Sequence, residues 1–180
     1  MSETDDGVAA RLRAELAEKP DGVLEALAGR HGVAMRVVLD VLGPEQAAVA
    51  PGGRFEAVWG ELTTWGDVVL IVHTEDGVFE VAASLPAGTA GRGYFNIHGD
   101  SPLGGHLRAD RCAAIYFVDR PFFGRRSCSV QFVSVSGAVM FKVFVRRDAE
   151  RALDAAQLER FGALRAREVA VSGSVDPSIL

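Results

Sequence analysis

The chain has 180 residues, a length that predicts one domain with a core of its own. Its 48% hydrophobic and 24% charged residues are ordinary for a soluble globular protein. The net charge of −5 argues against a general affinity for nucleic acid or anionic membranes. The longest aliphatic run, 68–72, is too short to span a bilayer, and the acidic N-terminus lacks a signal-peptide core. We therefore expect a cytoplasmic protein.

The first 64 residues carry apolar side chains at helical spacing and predict a helical N-terminal part. The predicted segments are residues 8–19, a second helix around 23–27, an apolar segment at 35–42, and residues 54–64. Pro20 ends the first helix, and Asp21 is predicted to cap the second. We expect residues 1–50 to form a helical layer and residues 51–168 a sheet-rich core. The best candidate for a boundary between them is Pro51-Gly52-Gly53.

After Gly66 the pattern changes to strands, and a last helix follows. The predicted strands are residues 68–73, 78–83, 94–97, 106–108, 113–118, 129–135 and 139–145. Asp154 is predicted to cap a final helix that runs through Leu164, and residues 169–180 to form a loose tail. Helices, then sequential strands, then one helix predict an α+β fold with a largely antiparallel β-sheet meander in one domain.

The two cysteines, Cys112 and Cys128, lie in strand-like apolar runs and form no CxxC motif. Buried, reduced thiols are the expected state, as in other cytoplasmic proteins. A disulfide between neighbouring strands stays open at this stage.

Residues 92–108 concentrate side chains that ligate metals or bind acidic groups, and His73 ends an apolar run upstream. The side chains of this kind are Arg92, Tyr94, His98, His106 and Arg108. Imidazole and phenolate bind haem iron, and arginine binds carboxylates such as haem propionates. The 33-residue interval between His73 and His106 matches no compact zinc spacing. Residue types alone therefore leave a structural role open for each side chain, and we expect His98 to be exposed.

Three other segments contain parts of known motifs or clusters of basic residues, but none of them predicts a binding site. Gly91-Arg92-Gly93 lacks the last glycine and the following helix of a phosphate-binding loop. Arg125 and Arg126 are predicted to lie in a surface turn. Residues 23–33 resemble the start of a helix-turn-helix, but the following helix offers only Arg36 as a basic contact for DNA.

Four separated segments, in this order along the chain, resemble the cytosolic haem utilisation carriers of the HutX/ChuX family. They are Gly93-Tyr94-Phe95-Asn96, Gly104-Gly105-His106-Leu107, residues 120–125 (RPFFGR) and residues 140–145 (MFKVFV). The similarity extends from about residue 20 to residue 165, and the interval from His73 to His106 fits the family as well. The sequence departs from the family pattern at Phe123, where Met is expected, and at Arg146, where Gly is expected.

The resemblance implies an antiparallel sheet with flanking helices, a homodimer, and reversible haem binding before transfer to a haem-degrading enzyme. His73, Tyr94 and His106 are the implied iron ligands, without a choice among them. From their residue types we expect Arg92, Phe95, Arg108 and Lys142 to contribute to haem binding, and the candidates for apolar contact with the porphyrin are Phe79, Phe95, Ile97 and Phe141. The alternatives are a haem-degrading enzyme, a helix-turn-helix regulator and a split-barrel flavin protein.

Overall fold

The computed structural model describes residues 3–172 of the chain. The helices in this part are α1 (Glu3–Glu18), α2 (Leu24–His31), α3 (Met35–Val41), α4 (Phe55–Leu62) and α5 (Ala155–Ser172). The strands are β1 (Ala47–Pro51), β2 (Asp67–His73), β3 (Val78–Ser84), β4 (Gly88–Gly91), β5 (Tyr94–Ile97), β6 (Gly105–Leu107), β7 (Cys112–Phe122), β8 (Arg125–Ser134) and β9 (Val139–Phe144).

Six strands form one antiparallel sheet in the order β1-β7-β8-β9-β2-β3. The strands β7, β8 and β9 form a meander, and β2 and β3 form a hairpin added beside β9. The strands β4, β5 and β6 form a second, three-stranded antiparallel sheet. The predicted α+β fold with a largely antiparallel sheet is therefore confirmed.

Each face of the large sheet packs against different elements, because side chains alternate along a strand. On one face, Val68 and Leu70 of β2 join a core that includes α4, α5 and the three-stranded sheet. On the other face, Tyr116 and Val118 of β7 pack against α1, α2 and α3. The two layers of helices therefore lie on opposite sides of one sheet.

Aromatic side chains fill the larger core. Phe55 of α4 lies edge-on to Phe95, Phe132 and Phe141, with ring centroids 5.4, 5.1 and 6.1 Å away. Offset and edge-to-face ring pairs of this kind add about 0.5–1.5 kcal/mol each beyond their buried area. The small sheet is attached to the large one through the same cluster, since Phe95 lies on β5.

Two strands were not predicted, β1 and β4. Their sequences, AAVAP and GTAG, lack the β-branched and aromatic alternation that marks a strand. The tertiary pairing of β1 with β7 and of β4 with β5 decides their structure. The predicted helical layer at 1–50 therefore ends earlier, because Ala47 already belongs to the large sheet.

The Pro51-Gly52-Gly53 segment packs closely on the start of β7, where a Cβ on Gly52 would lie 2.0 Å from the Cys112 oxygen.

Three local predictions were wrong. Asp21 does not cap α2, because Val23 precedes this helix without a side-chain cap. The Asp21 carboxylate instead accepts a hydrogen bond from the Gly124 N–H in the β7–β8 turn. Arg125 and Arg126 lie in β8, because the tight turn is formed by Phe123 and Gly124, both with positive φ. Residues 169–172 continue α5, and the rest of the predicted tail lies outside the described residues.

Two other local predictions were confirmed, the cap of α5 and the buried, unpaired state of the cysteines. Asp154 caps α5, since its carboxylate accepts a hydrogen bond from the Gln157 amide at 2.9 Å. Cys112 and Cys128 are free and buried, and burial raises the pKa of the Cys112 thiol to about 11. No helix within residues 3–172 is long and apolar enough to cross a membrane.

The small sheet depends on a glycine at position 88, and replacing it tests the packing described above. A Cβ there would lie 2.2 Å from the ring of the buried Phe95. We expect Gly88→Ala to lower the free energy of unfolding by about 1–3 kcal/mol, the usual cost of overpacking a core. Urea denaturation measures this loss. Gly91→Ala on the same strand is the control, because its nearest neighbour would be Asn96 Nδ2 at 3.6 Å. Equal losses in the two variants would contradict the prediction.

Candidate functional site

A cleft of about 720 Å³ opens on the large sheet where the layer of α1, α2 and α3 stops. Its floor is the face of the sheet that carries Val69, Ile71 and His73, the residues of β2 that alternate with the core residues. The start of α2 forms one wall. The volume falls within the range of about 300–1,000 Å³ that is typical of ligand pockets.

The lining of the cleft is mainly apolar, with charged groups at defined places. The apolar side chains include Val23, Leu24, Val69, Ile71, Val78, Val118, Phe122, Phe123, Phe144 and Leu153. The cations are Arg120, Lys142, Arg146 and Arg147, and the carboxylates are Glu25 and Glu80. Four cations against two carboxylates favour an anionic ligand.

Glu25 links the helical wall of the cleft to its floor. Its carboxylate forms an ion pair with Lys142 of β9, and its Oε1 lies 3.6 Å from His73 Nδ1. Burial opposes ionisation of Glu25 and is the largest single effect, but the charge and hydrogen bond of Lys142, a main-chain hydrogen bond and the charge of His73 together outweigh it, so the pKa of Glu25 is lowered. The lysine side chain is only 9% exposed, which makes Glu25 its main source of neutralising charge.

Arg120 connects the cleft to the loop between α1 and α2. One guanidinium nitrogen donates to the carbonyl oxygens of Pro20 and Gly22, at 2.6 and 3.0 Å. Burial lowers the pKa of Arg120, although the charges of Asp21 and Glu25 oppose this effect. The Arg120 Nε–H is buried and has no hydrogen-bond partner among the described residues.

A second buried polar group in the floor also lacks a partner. Gln131 of β8 is 3% exposed, and its Nε2 donates to Ser129 Oγ at 3.1 Å. Its Oε1 has no partner in the described part of the chain. Because a buried polar group without a partner costs about 1–3 kcal/mol, such atoms in a ligand-sized cleft indicate groups that a ligand satisfies.

Tyr94, His106 and Arg108 form a separate cluster on the three-stranded sheet. The Tyr94 and His106 ring centroids are 5.9 Å apart, and the Arg108 guanidinium carbon lies 5.8 Å from the Tyr94 centroid. Tyr94 is 44% exposed. The three side chains lie on the surface because the alternate residues of β5, Phe95 and Ile97, enter the core.

Asn96 fixes the imidazole of His106. Its Nδ2 donates to the carbonyl oxygens of Thr89 and Gly91, at 3.2 and 3.1 Å, which orients the amide. Its Oδ1 therefore accepts from His106 Nδ1, 2.7 Å away. The proton of the neutral ring is held on Nδ1, and the Nε2 lone pair is available for a metal.

The predicted iron ligands are thus divided between two places. His73 faces the cleft, whereas Tyr94 and His106 belong to the small sheet, which packs on the opposite face of the large sheet. No hydrogen bond, ion pair or ring contact among the described residues joins the two groups. Within residues 3–172 there is also no group of three or more His, Cys, Asp or Glu that could hold a metal ion.

The structure places the other predicted site residues as follows. Lys142 lies in the cleft, and Arg92 is exposed at the β4–β5 turn, with a φ of 53°. The turn pairs Arg92 with Gly93, also at positive φ, as the type I′ form of a two-residue hairpin turn requires. Phe95, Ile97 and Phe141 are core residues, and Phe79 is exposed on β3, so none of these four lines the cleft. The side chain of His98 is exposed, as predicted, and its Nε2 lies 3.1 Å from Thr89 Oγ1.

Four residues of the two clusters were missed by sequence reasoning: Glu25, Arg120, Gln131 and Asn96. Glu25 and Gln131 carry no local signal, since their roles depend on contacts with distant elements. Arg120 and Asn96 lie inside segments that resemble the haem carriers, and their polar side chains within those segments are the signal that marks them.

Comparisons with known proteins agree on one family. The sequence profile of the family described as haem utilisation ChuX/HutX matches residues 48–164. The intracellular heme transport protein HutX of Vibrio cholerae is 32% identical over 151 residues, which are 83% of this chain and 78% of that protein.

Solved structures also resemble this chain in sequence and fold. A protein from Agrobacterium tumefaciens is 50% identical, over 93% of this chain and 98% of that one, with a TM-score of 0.84. The heme binding protein ChuX is 34% identical, over 87% of this chain and 97% of that one, with a TM-score of 0.79.

The pair of Glu25 and Lys142 can be tested by its effect on stability. We expect Lys142→Met to lower the free energy of unfolding at neutral pH by about 1–3 kcal/mol, because Glu25 loses its main partner. Since folding lowers the pKa of Glu25, the pair stabilises above the ordinary carboxyl pKa and its contribution is lost as the pH falls through the lowered value. Urea denaturation at about pH 7 and about pH 3 should therefore show a smaller difference at the lower pH.

The double variant Glu25→Gln/Lys142→Met is the control for this measurement. It removes both charges, so we expect it to be more stable than Lys142→Met at neutral pH. A wild type, a single variant and a double variant of equal stability at both pH values would show that the pair contributes nothing.

Proposed function

Since this chain belongs to the haem utilisation ChuX/HutX family, we propose that it is an intracellular haem-binding carrier that holds imported haem and transfers it to a haem-degrading enzyme. We further propose that it acts in the cytoplasm, without nucleic acid or membrane as a partner. Haem is the cargo of such a protein and is bound reversibly.

The observation that carries the proposal is the cleft on the large sheet. Haem is a flat, apolar ring with two carboxylates, and a ligand of that kind needs apolar walls and a few cations. The cleft has both, with Val69, Ile71 and Phe144 beside Lys142 and Arg120. The unpartnered Arg120 Nε–H also fits an anionic oxygen of the cargo.

Within the cleft we propose His73 as the iron ligand. The His73 side chain is 27% exposed in the floor of the cleft, so its imidazole can reach a ligand held there. Haem needs only one or two axial ligands, so the lack of a larger ligand cluster agrees with this role.

Tyr94 and His106 are the second candidate ligand set. His106 is held by Asn96 with Nε2 available, and the tyrosine ring beside it is 44% exposed. One iron atom cannot join His73 to this pair within one chain, because the groups lie on opposite sides of the large sheet. A haem held by both would need two chains.

We also propose a homodimer that uses the open edge of the large sheet. β3 is an edge strand, and its Val78 and Phe79 are 51% and 68% exposed. An edge with unpaired main-chain groups and exposed apolar side chains favours pairing with another chain.

A haemin titration of the purified protein tests the function and identifies the ligand. We expect saturation near one haem per chain, followed at the Soret band. His73→Ala should shift the spectrum and weaken binding about tenfold or more if His73 ligates the iron in the cleft. Tyr94→Phe and His106→Ala are measured in parallel, and a shifted spectrum in these two instead would place the iron on the small sheet.

The loaded protein also separates a carrier from an enzyme. A carrier keeps its Soret band when a reductant and air are added, whereas a haem-degrading enzyme loses it. Weak, non-saturating binding shared by the wild type and all three variants would contradict the proposed function.

Light scattering in solution tests the dimer. We expect the wild type at twice the mass of one chain and Phe79→Lys at the mass of one chain, since a charge there opposes burial of the β3 edge. Val135→Lys is the matched control, because Val135 is 60% exposed and follows β8 rather than β3. A Phe79→Lys protein that keeps the wild-type mass would rule out this edge as the interface.

A further inference from the structure

Glu25 is surrounded by cations of the cleft floor. Lys142 of β9 pairs with it directly, and His73 of β2 approaches its Oε1 to 3.6 Å. The charge of Arg120 on β7 also acts on Glu25. Three strands of the sheet thus direct basic groups at one carboxylate, which belongs to the helical wall.

The attachment of α2 to the sheet does not depend on that carboxylate alone. Leu24, Leu27 and Ala28 bury the helix in the smaller core. Arg120 holds the preceding loop through the carbonyl oxygens of Pro20 and Gly22. The Glu25 side chain, which is 20% exposed, can therefore rotate away while α2 stays in place.

The floor near Lys142 also holds polar groups that Glu25 does not satisfy. Gln131 is the direct neighbour of Lys142 across the β8–β9 pair, and its Oε1, which has no partner in the described residues, is an acceptor that needs a donor and is not satisfied by a carboxylate. Arg120 Nε–H, in the same cleft, is likewise unpartnered, and both side chains are more than nine-tenths buried. A buried cationic donor without an acceptor indicates a negatively charged group that comes from outside the chain.

We infer that Glu25 is an internal substitute for a carboxylate of the ligand: when a ligand enters the cleft, its carboxylate binds Lys142 and Glu25 moves away. The inference rests on the proposed function and deepens it, because it assigns the ligand's acid group to one place in the cleft. Two general consequences follow. The cleft selects ligands that carry a carboxylate, and release is assisted because Glu25 pairs with Lys142 again as the cargo leaves.

The exchange replaces one ion pair by another, so no buried cation is left without a partner at either stage. This limits the affinity for the cargo, because each binding event also breaks the pair of Glu25 and Lys142. A carrier needs this property, since its cargo must be passed on.

The test compares haemin with haemin dimethyl ester, in which both carboxylates are blocked. Both are delivered from dimethyl sulfoxide to the full-length wild type, Glu25→Gln and Lys142→Met, and the dissociation constants are measured at the Soret band. We expect the wild type to bind haemin more tightly than the ester. Glu25→Gln should tighten haemin binding on the order of tenfold and leave ester binding within about twofold, because only the acid competes with Glu25.

Lys142→Met should reduce the difference between acid and ester, because one of the cations that bind the ligand's carboxylates is gone while Arg120 remains. Together with the wild-type comparison, this variant decides the question even if Glu25→Gln does not fold. Glu75→Gln is the control for a general change of charge, since Glu75 lies in the exposed β2–β3 turn and outside the cleft. It should leave both constants within about twofold.

The outcomes separate the inference from the proposed function. If haemin and its ester both bind tightly with equal affinity, the exchange is wrong and the carrier function stands. If Glu25→Gln changes both constants to the same extent, the exchange is also wrong. If neither compound binds saturably to the wild type, the proposed function fails and the inference fails with it.

Discussion

The alternation of side chains along β2 is the constraint on which the site depends. Val68 and Leu70 enter the core with α4 and α5, so Val69, Ile71 and His73 must face the other way. The helices α1, α2 and α3 cover only the part of this second face that lies near β7 and β8. The uncovered part becomes the cleft, and a shift of β2 by one residue would turn its histidine into the core.

The same rule explains why the predicted ligands separate. β5 uses Phe95 and Ile97 to attach the small sheet to the core, so Tyr94 and Asn96 point outward beside His106. One chain therefore presents two histidines in different surroundings. His73 lies in an apolar, partly enclosed cleft with Lys142 and Arg120 nearby, whereas His106 lies on the surface and is held by Asn96.

Much of the fold could be predicted from the sequence, because strong periodicity marks most of its elements. The strand Tyr94–Ile97 was predicted with its observed ends, and the strongly apolar β2 within one residue. β1 and β4 could not be predicted, since alanine and glycine have little preference for strands and only the pairing partners decide their structure. The candidate site, like the fold, could be predicted only in part. The sequence shows which titratable residue types are present. It does not show that Glu25 contacts Lys142, because the two are 117 positions apart and no local pattern indicates such a contact.

The hold of Arg120 on the loop between α1 and α2 has a consequence for how such a protein can change over time. The arginine binds the main-chain oxygens of Pro20 and Gly22, groups that every amino acid possesses. Substitutions in the loop can therefore accumulate without moving the wall of the cleft, provided that the backbone keeps its path. The arginine has no such freedom, since lysine would offer a single charged nitrogen in place of the planar fork. Substitutions in the loop should consequently be tolerated, whereas substitutions of Arg120 should be selected against.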